Sequence, residues 1–554
     1  MKTNPLVRLF NLILLDKKEI TSIYFLAILN GFVQLSLPLG VQAIISFALG
    51  AKMVTSIYVL IIIVVIGVWI VGILQVNQIK IIERIQQKIF TRNAFEFAET
   101  IPKLDLLKSN NYYLPEKVNR FFDTLSIQKG LSKLLLDIPI ASIQIIFGIL
   151  LLSFYHPIFI GFGLLLLSTL FAILKFTSKK GWTTSLEESK NKYAMVGWFG
   201  EMARVIKSFK FRQDTQLNIT KTDDSAVGYL RARTSHFKVL LFQYKALILF
   251  KVLITATMLV MGTYLLLNQQ LNIGEFIAAE IIILTVINAI EKLIGSLDSV
   301  YDIITGLEKL AHVTESSIEK SGNIPYTSNG KGMSVELINC ELEFSTNKKI
   351  FKDLNFTLPS SSLICITGDE GSGKTSLLNF LGGNYQTEKG GLLINDVPFQ
   401  NYQLESLRNR MGIFLNQEDI FEGTLLENIT VGRTEITVDK INEIAQKIGF
   451  KGFINNFQNG FESILDPAGR KIASSLVTKI LLLRAVVNEP ELLLLEEPWR
   501  NFNHETKKSI TEYLLQLSGK TTICIVTNNK EFIEKCDYII HLENNTGSLI
   551  KNNK

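Results

Sequence analysis

Long apolar stretches separated by polar connections fill the first 300 or so positions of the chain. Six of them, near residues 21–46, 55–78, 133–155, 157–177, 243–267 and 275–297, are long enough for a helix to cross a bilayer core, which takes about 20 mostly apolar residues. The second, with Ser56-Ile-Tyr-Val-Leu-Ile-Ile-Ile-Val-Val-Ile-Gly-Val-Trp-Ile, is the least ambiguous. Two connections, 79–132 and 178–242, are much longer than the other turns and rich in the helix formers Glu, Lys, Gln, Leu and Ala. They predict helices that continue well past the bilayer, with tips near 108–118 and 204–214 where a soluble domain could dock.

The pattern changes after a turn-rich polar stretch that includes Ser321-Gly-Asn-Ile-Pro-Tyr-Thr-Ser-Asn-Gly-Lys-Gly. Short apolar runs now alternate with ordinary soluble sequence. The run Leu492-Leu-Leu-Leu reads as a parallel strand covered on both faces. The expected organisation is multidomain: an all-α six-helix transmembrane domain over residues 1–312, a linker over 313–334, and an α/β P-loop NTPase domain over 335–554.

Composition agrees with that division. Of 554 residues, 47% are hydrophobic and 19% charged, with a mean hydropathy of +0.26. The net charge of +6 is spread through loops and not gathered into a basic, aromatic-interleaved face, so no nucleic-acid partner is expected. Its distribution sets orientation instead, since Lys and Arg stay on the cytoplasmic side of short loops. Lys17 and Lys18 precede the first stretch, Lys80, Arg84, Lys88 and Arg92 follow the second, and Lys175, Lys179 and Lys180 follow the fourth. The turns after stretches one, three and five carry only Lys52. Both termini and the soluble domain are therefore expected in the cytoplasm, with membrane lipid around the spans. The first stretch is long enough to remain as a span and is not read as a cleaved leader. Glu280 lies more than a turn inside the sixth stretch, where a charge needs a reason; a central cavity or a partner within the bundle would supply one. Cys340, Cys365, Cys524 and Cys536 lack CxxC spacing and read as buried thiols in a reducing compartment.

The chemistry sits in the C-terminal half. Ser362-Leu-Ile-Cys-Ile-Thr leads into Gly368-Asp369-Glu370-Gly371-Ser372-Gly373-Lys374-Thr375-Ser376 and then Leu377-Leu-Asn-Phe-Leu, the strand, loop and helix order of a P-loop. The glycines let backbone N–H groups close on phosphate oxygens at a helix N-terminus. Lys374 supplies positive charge to the β and γ phosphates of ATP, and Thr375 a hydroxyl to Mg²⁺. Glu496 and Glu497 end the 492–495 run. Glu496 is placed to reach Mg²⁺ through water and Glu497 to polarise the attacking water.

With these elements the chain resembles exporter-type ABC transporters over nearly its whole length, and more loosely the protein and peptide secretion branch. Phe414-Leu-Asn-Gln-Glu-Asp-Ile-Phe-Glu-Gly-Thr-Leu-Leu-Glu-Asn-Ile is similar to the family's Q-loop, which makes Gln417 the Mg²⁺- and water-sensing glutamine. Phe344 falls where the family stacks an aromatic ring on adenine. Four features depart from the pattern, the first being Glu496, which stands where the family carries an aspartate. Anchored on Ile480, Leu482, Arg484 and Ala485, the signature Leu-Ser-Gly-Gly-Gln corresponds to Ile472-Ala-Ser-Ser-Leu. The switch histidine corresponds to Asn528, which hydrogen-bonds but carries no proton between states. The D-loop reads Arg500-Asn-Phe-Asn. The resemblance implies a half-transporter in the inner membrane that exports a substrate on ATP hydrolysis, with turnover slowed by these departures. A second copy of the chain is the favoured partner, a different half the alternative, and a periplasmic adaptor a further candidate. An ATP-binding membrane scaffold or regulator with little hydrolysis is the competing function.

Overall fold

The computed structural model describes residues 5–49, 55–109, 114–211, 215–344, 348–386, 389–416 and 420–552. The chain forms two compact units, Met1–Pro102 with Tyr112–Ser316, and Lys103–Asn111 with Ser317–Lys554.

The first unit is helical, and six of its described segments are long and apolar enough to cross a membrane. The first is broken between Lys17–Gln34 and Ser36–Leu49. Pro38 explains the break, because it has no N–H to give and its ring collides with the carbonyl four residues back, that of Gln34. A second break follows the same logic. His156 is extended, the conformation forced on a residue before proline, and it separates Asp123–Tyr155 from Ile158–Arg204. The sixth apolar segment starts on a capping box, with Asn272 accepting from the Glu275 amide and Glu275 from the Asn272 amide.

Helices Thr55–Thr100, Ile158–Arg204 and Leu217–Leu267 hold 46, 47 and 51 residues. At about 1.5 Å per residue each runs to about 70 Å, roughly twice a bilayer core. Side-chain character changes along them. Tyr58, Ile62, Val65 and Trp69 are exposed on the apolar portion of the second span, a surface suited to lipid. Farther along, the buried contacts turn polar: Gln243 Nε2 donates to Thr177 Oγ1 (2.7 Å) and Tyr301 Oη (3.0 Å), and Thr184 Oγ1 lies 2.9 Å from His236 Nδ1. Gly181 makes this approach possible, since a Cβ there would stand 2.3 Å from the Tyr301 ring.

The second unit is α/β. Its main sheet runs Thr546–Lys551, Tyr538–Glu543, Leu363–Gly368, Thr522–Val526, Leu492–Glu496, Met411–Phe414. All neighbours pair in parallel except the antiparallel first two. Strands 492–496 and 522–526 are buried at every position, as an apolar run covered on both faces must be. A second sheet, antiparallel, is built from Val335–Phe344, Lys348–Leu358, Gly391–Ile394 and Val397–Pro398. Residues Lys103–Asn111 group with this unit. Leu104 pairs with Ile318, the Asp105 amide donates to the Ser317 carbonyl (2.9 Å) and the Glu319 amide to the Lys103 carbonyl (2.9 Å). The polar stretch after Ser317 is well packed, with Tyr326 and Met333 buried.

One expectation is corrected. Cys365, on the central strand, and Cys536 are joined as a disulfide with their Cα atoms 6.1 Å apart, so they are not two free thiols. Cys340 and Cys524 are free and buried. Burial pushes the Cys524 thiol up to about 12, which leaves it unreactive.

Candidate nucleotide site

Parallel strands deliver their last residues to one edge of a sheet, where α/β folds bind ligands. Here that edge collects Gly368 from the first strand of the P-loop unit, Glu496 and Glu497 from 492–496, Thr527 and Asn528 after 522–526, and Leu415 and Asn416 after 411–414.

The loop from Gly368 to Gly373 takes a path that side chains would obstruct. Gly368, Gly371 and Gly373 have φ of 143°, 81° and 95°, and a Cβ on Gly368 would stand 2.3 Å from the Leu542 carbonyl oxygen. Helix Lys374–Leu381 follows at once, so its free N–H groups face the loop. Lys374 Nζ donates to the carbonyls of Gly368 (2.8 Å) and Asp369 (2.6 Å). Ser372 Oγ is buried without a hydrogen-bond partner. Asp369 and Glu370 are exposed at the loop tip, and Ser376 is half-buried on the first turn. An open loop of amides, one ammonium and an unsatisfied hydroxyl fits phosphate oxygens.

Thr375 and Glu496 form the second half of the site. Thr375 Oγ1 donates to Glu496 Oε1 at 2.5 Å, and the Asn416 amide donates to Glu496 Oε2 at 3.0 Å. The P-loop, the acidic strand and the start of the Q-loop-like segment thus meet at one buried carboxylate. Gln417, the next residue, lies outside the described residues.

Glu497 stands apart from that cluster. Its Oε1 accepts from the Asn528 amide (3.0 Å), and its Oε2 from the indole Nε1 of Trp499 (2.9 Å), with Thr527 Oγ1 at 3.5 Å. Asn528 therefore meets Glu497 through its backbone. Phe344 is half-buried on the antiparallel sheet and packs edge-on against Tyr385, centroids 5.7 Å apart. The signature-like residues open helix Ser474–Val486, and Ile472 and Ser474 line a cleft of about 500 Å³ with Phe414, Asn416, Arg500 and Asn501. Trp499, Thr527 and the Asn416 amide are contacts that sequence reasoning missed. Only Trp499 left a trace there, as a large aromatic two positions after the second glutamate.

Fold and site define a P-loop nucleotide-binding unit in a chain with a six-span helical unit. The family profile described as ABC transporter matches residues 351–500. The ABC transporter ATP-binding protein YknV of Bacillus subtilis is 25% identical over 295 residues, 52% of this chain and 48% of its own length. The fatty acid ABC transporter ATP-binding/permease protein of Mycobacterium tuberculosis is 26% identical over 264 residues, 48% and 40% of the two chains. The chain thus spans about half the length of the curated relatives it matches or less. A solved structure of a bacterial Atm1-family ABC exporter with ATP bound superposes with a TM-score of 0.84 at 16% identity, over 96% of this chain and 94% of that one, and shares the fold. The protein carries an ABC transporter nucleotide-binding domain, which binds ATP, fused to a six-helix transmembrane domain, and is a multi-pass integral membrane protein.

Proposed function

We propose that the chain is one half of an ATP-driven exporter that works as a dimer, moving a substrate by alternating access of its six-span unit. The observation that carries this reading is the joint arrangement of a P-loop, the Thr375–Glu496 contact and a separately held Glu497. In this reading the loop amides and Lys374 hold the phosphates, the Lys374 ammonium turning from two backbone carbonyls to phosphate oxygens. Thr375, Glu496 and Gln417 offer the hard oxygen donors that suit Mg²⁺, which when bound neutralises phosphate charge. Glu497 orients water for in-line attack, and Asn528 frames that carboxylate from the neighbouring strand. Phe344 offers an aromatic face to the base. The helix tips expected from the sequence near 108–118 and 204–214 would carry closure of paired nucleotide units to the spans.

The signature-like Ile472-Ala-Ser-Ser-Leu lacks glycine, so its amides approach a partner's phosphate less closely, which favours slow turnover. The charge distribution supports an inner-membrane protein with cytoplasmic termini and nucleotide unit. A homodimer needs no second gene product and is the partner proposed. The test is steady-state ATP hydrolysis by the full chain in lipid, beside Lys374→Ala and Glu497→Gln. Turnover lost in both variants is expected. Equal background rates in all three would reject the pump in favour of a scaffold that binds nucleotide without spending it.

A further inference from the structure

We propose that Trp499 is a positioning residue for the Glu497 carboxylate, its indole N–H fixing one oxygen while the Asn528 amide fixes the other. The inference rests on Glu497 being the group that orients water. A carboxylate held at one oxygen still turns about its last bond, and the water it orients turns with it. Here Oε1 is held by the Asn528 amide at 3.0 Å, which leaves Oε2 to stop that rotation. Two donors face Oε2: the Trp499 indole at 2.9 Å and the Thr527 hydroxyl at 3.5 Å. The second is at the limit of a hydrogen bond, so the indole does most of the holding.

The indole can serve as a fixed post because it is itself buried and packed against another ring. Trp499 is 5% exposed, and its ring lies 4.8 Å from Phe532 at an interplanar angle of 53°. Phe532 is buried on the turn that follows Asn528, its amide capped by Asn529 Oδ1 at 3.3 Å. A buried indole needs an acceptor for its one N–H, and a carboxylate is the strongest available. Glu497 is also set by its backbone, at φ 46°, with its amide donating to the Val526 carbonyl at 3.0 Å. Each carboxylate oxygen accepts more than one hydrogen bond, so two fixed donors still leave room for the water.

The experiment uses the full chain in lipid nanodiscs. Trp499→Phe keeps a ring against Phe532 and removes the N–H. We expect its kcat for ATP to fall about tenfold or more with KM little changed, as for a misaimed base. In a Glu497→Gln background the same change should cause no further loss of single-turnover rate. A kcat within twofold of wild type, a faster kcat, a loss confined to KM, or an additional loss on top of Glu497→Gln would each overturn the proposal. If Trp499→Phe lowers the melting temperature, 3-benzothienylalanine at position 499 keeps the bicyclic shape without the N–H, and the same outcomes apply. Failure of the underlying reading is separate: Glu497→Gln would then turn over as wild type does, or wild type would show no Lys374-dependent turnover.

Discussion

Thr375 Oγ1 and Glu496 Oε1, 2.5 Å apart, join the phosphate loop to the acidic strand. Thr375→Val preserves shape, removes the donor and removes one oxygen from the proposed Mg²⁺ site. The expected outcome is that the gain in ATP affinity on adding Mg²⁺ shrinks by about tenfold, while Mg²⁺-free affinity stays as in wild type. Titration of a fluorescent ATP analogue with and without Mg²⁺ checks it; equal losses in both would mean that Thr375 only shapes the loop. Residues of this kind were legible in the sequence because their geometry is local. Gly368, Gly371, Gly373, Lys374 and Thr375 lie within one loop and one helical turn, so spacing alone fixes their relation. The Asn416 amide on Glu496 and the Trp499 indole on Glu497 were not legible. The first depends on which strands lie side by side, and the second on a rotamer set by Phe532.

Secondary elements were legible where a solvent dictates them. The bilayer demands long apolar runs, and the six candidate spans among the described residues follow from that, whereas the break that Pro38 puts into the first stretch was not read from the sequence. The polar stretch 313–334 was harder. Its Gly, Ser, Asn and Pro content reads as turns, yet its contacts are made one residue at a time with distant strands. Tyr326 is the main anchor: its hydroxyl donates to buried Glu491 Oε2 at 2.7 Å and accepts from Asn395 Nδ2 at 3.1 Å. Burial, and then the Glu491 carboxylate, hold that phenol well above its ordinary value, so it remains a donor. Tyr326→Phe strips Glu491 of this donor inside the protein, at an expected cost of about 1–3 kcal/mol to the nucleotide unit. The check is the melting temperature of the full chain in detergent with limited proteolysis of 313–334; an unchanged transition and cleavage rate would show the pair to be dispensable.

For the molecule as a whole, alternating access requires that a residue inside the bundle change its exposure to water when nucleotide is bound and trapped. Glu280 is the natural reporter, because it is half-buried on helix Ile273–Gly295, between Ala279 at 0% and Ile282 at 2% exposure. A carboxylate at that depth is costly unless water or a partner reaches it. We therefore expect a cysteine at position 280, in a chain whose native cysteines are replaced, to react with a membrane-impermeant maleimide from the cytoplasmic side in inside-out vesicles. In a Glu497→Gln background, where hydrolysis is blocked, adding Mg-ATP should slow that labelling several-fold, and a further Lys374→Ala should abolish the slowing. Labelling indifferent to nucleotide would separate ATP binding from any motion of the bundle, and a site unreactive from both sides would place Glu280 in a sealed contact between helices.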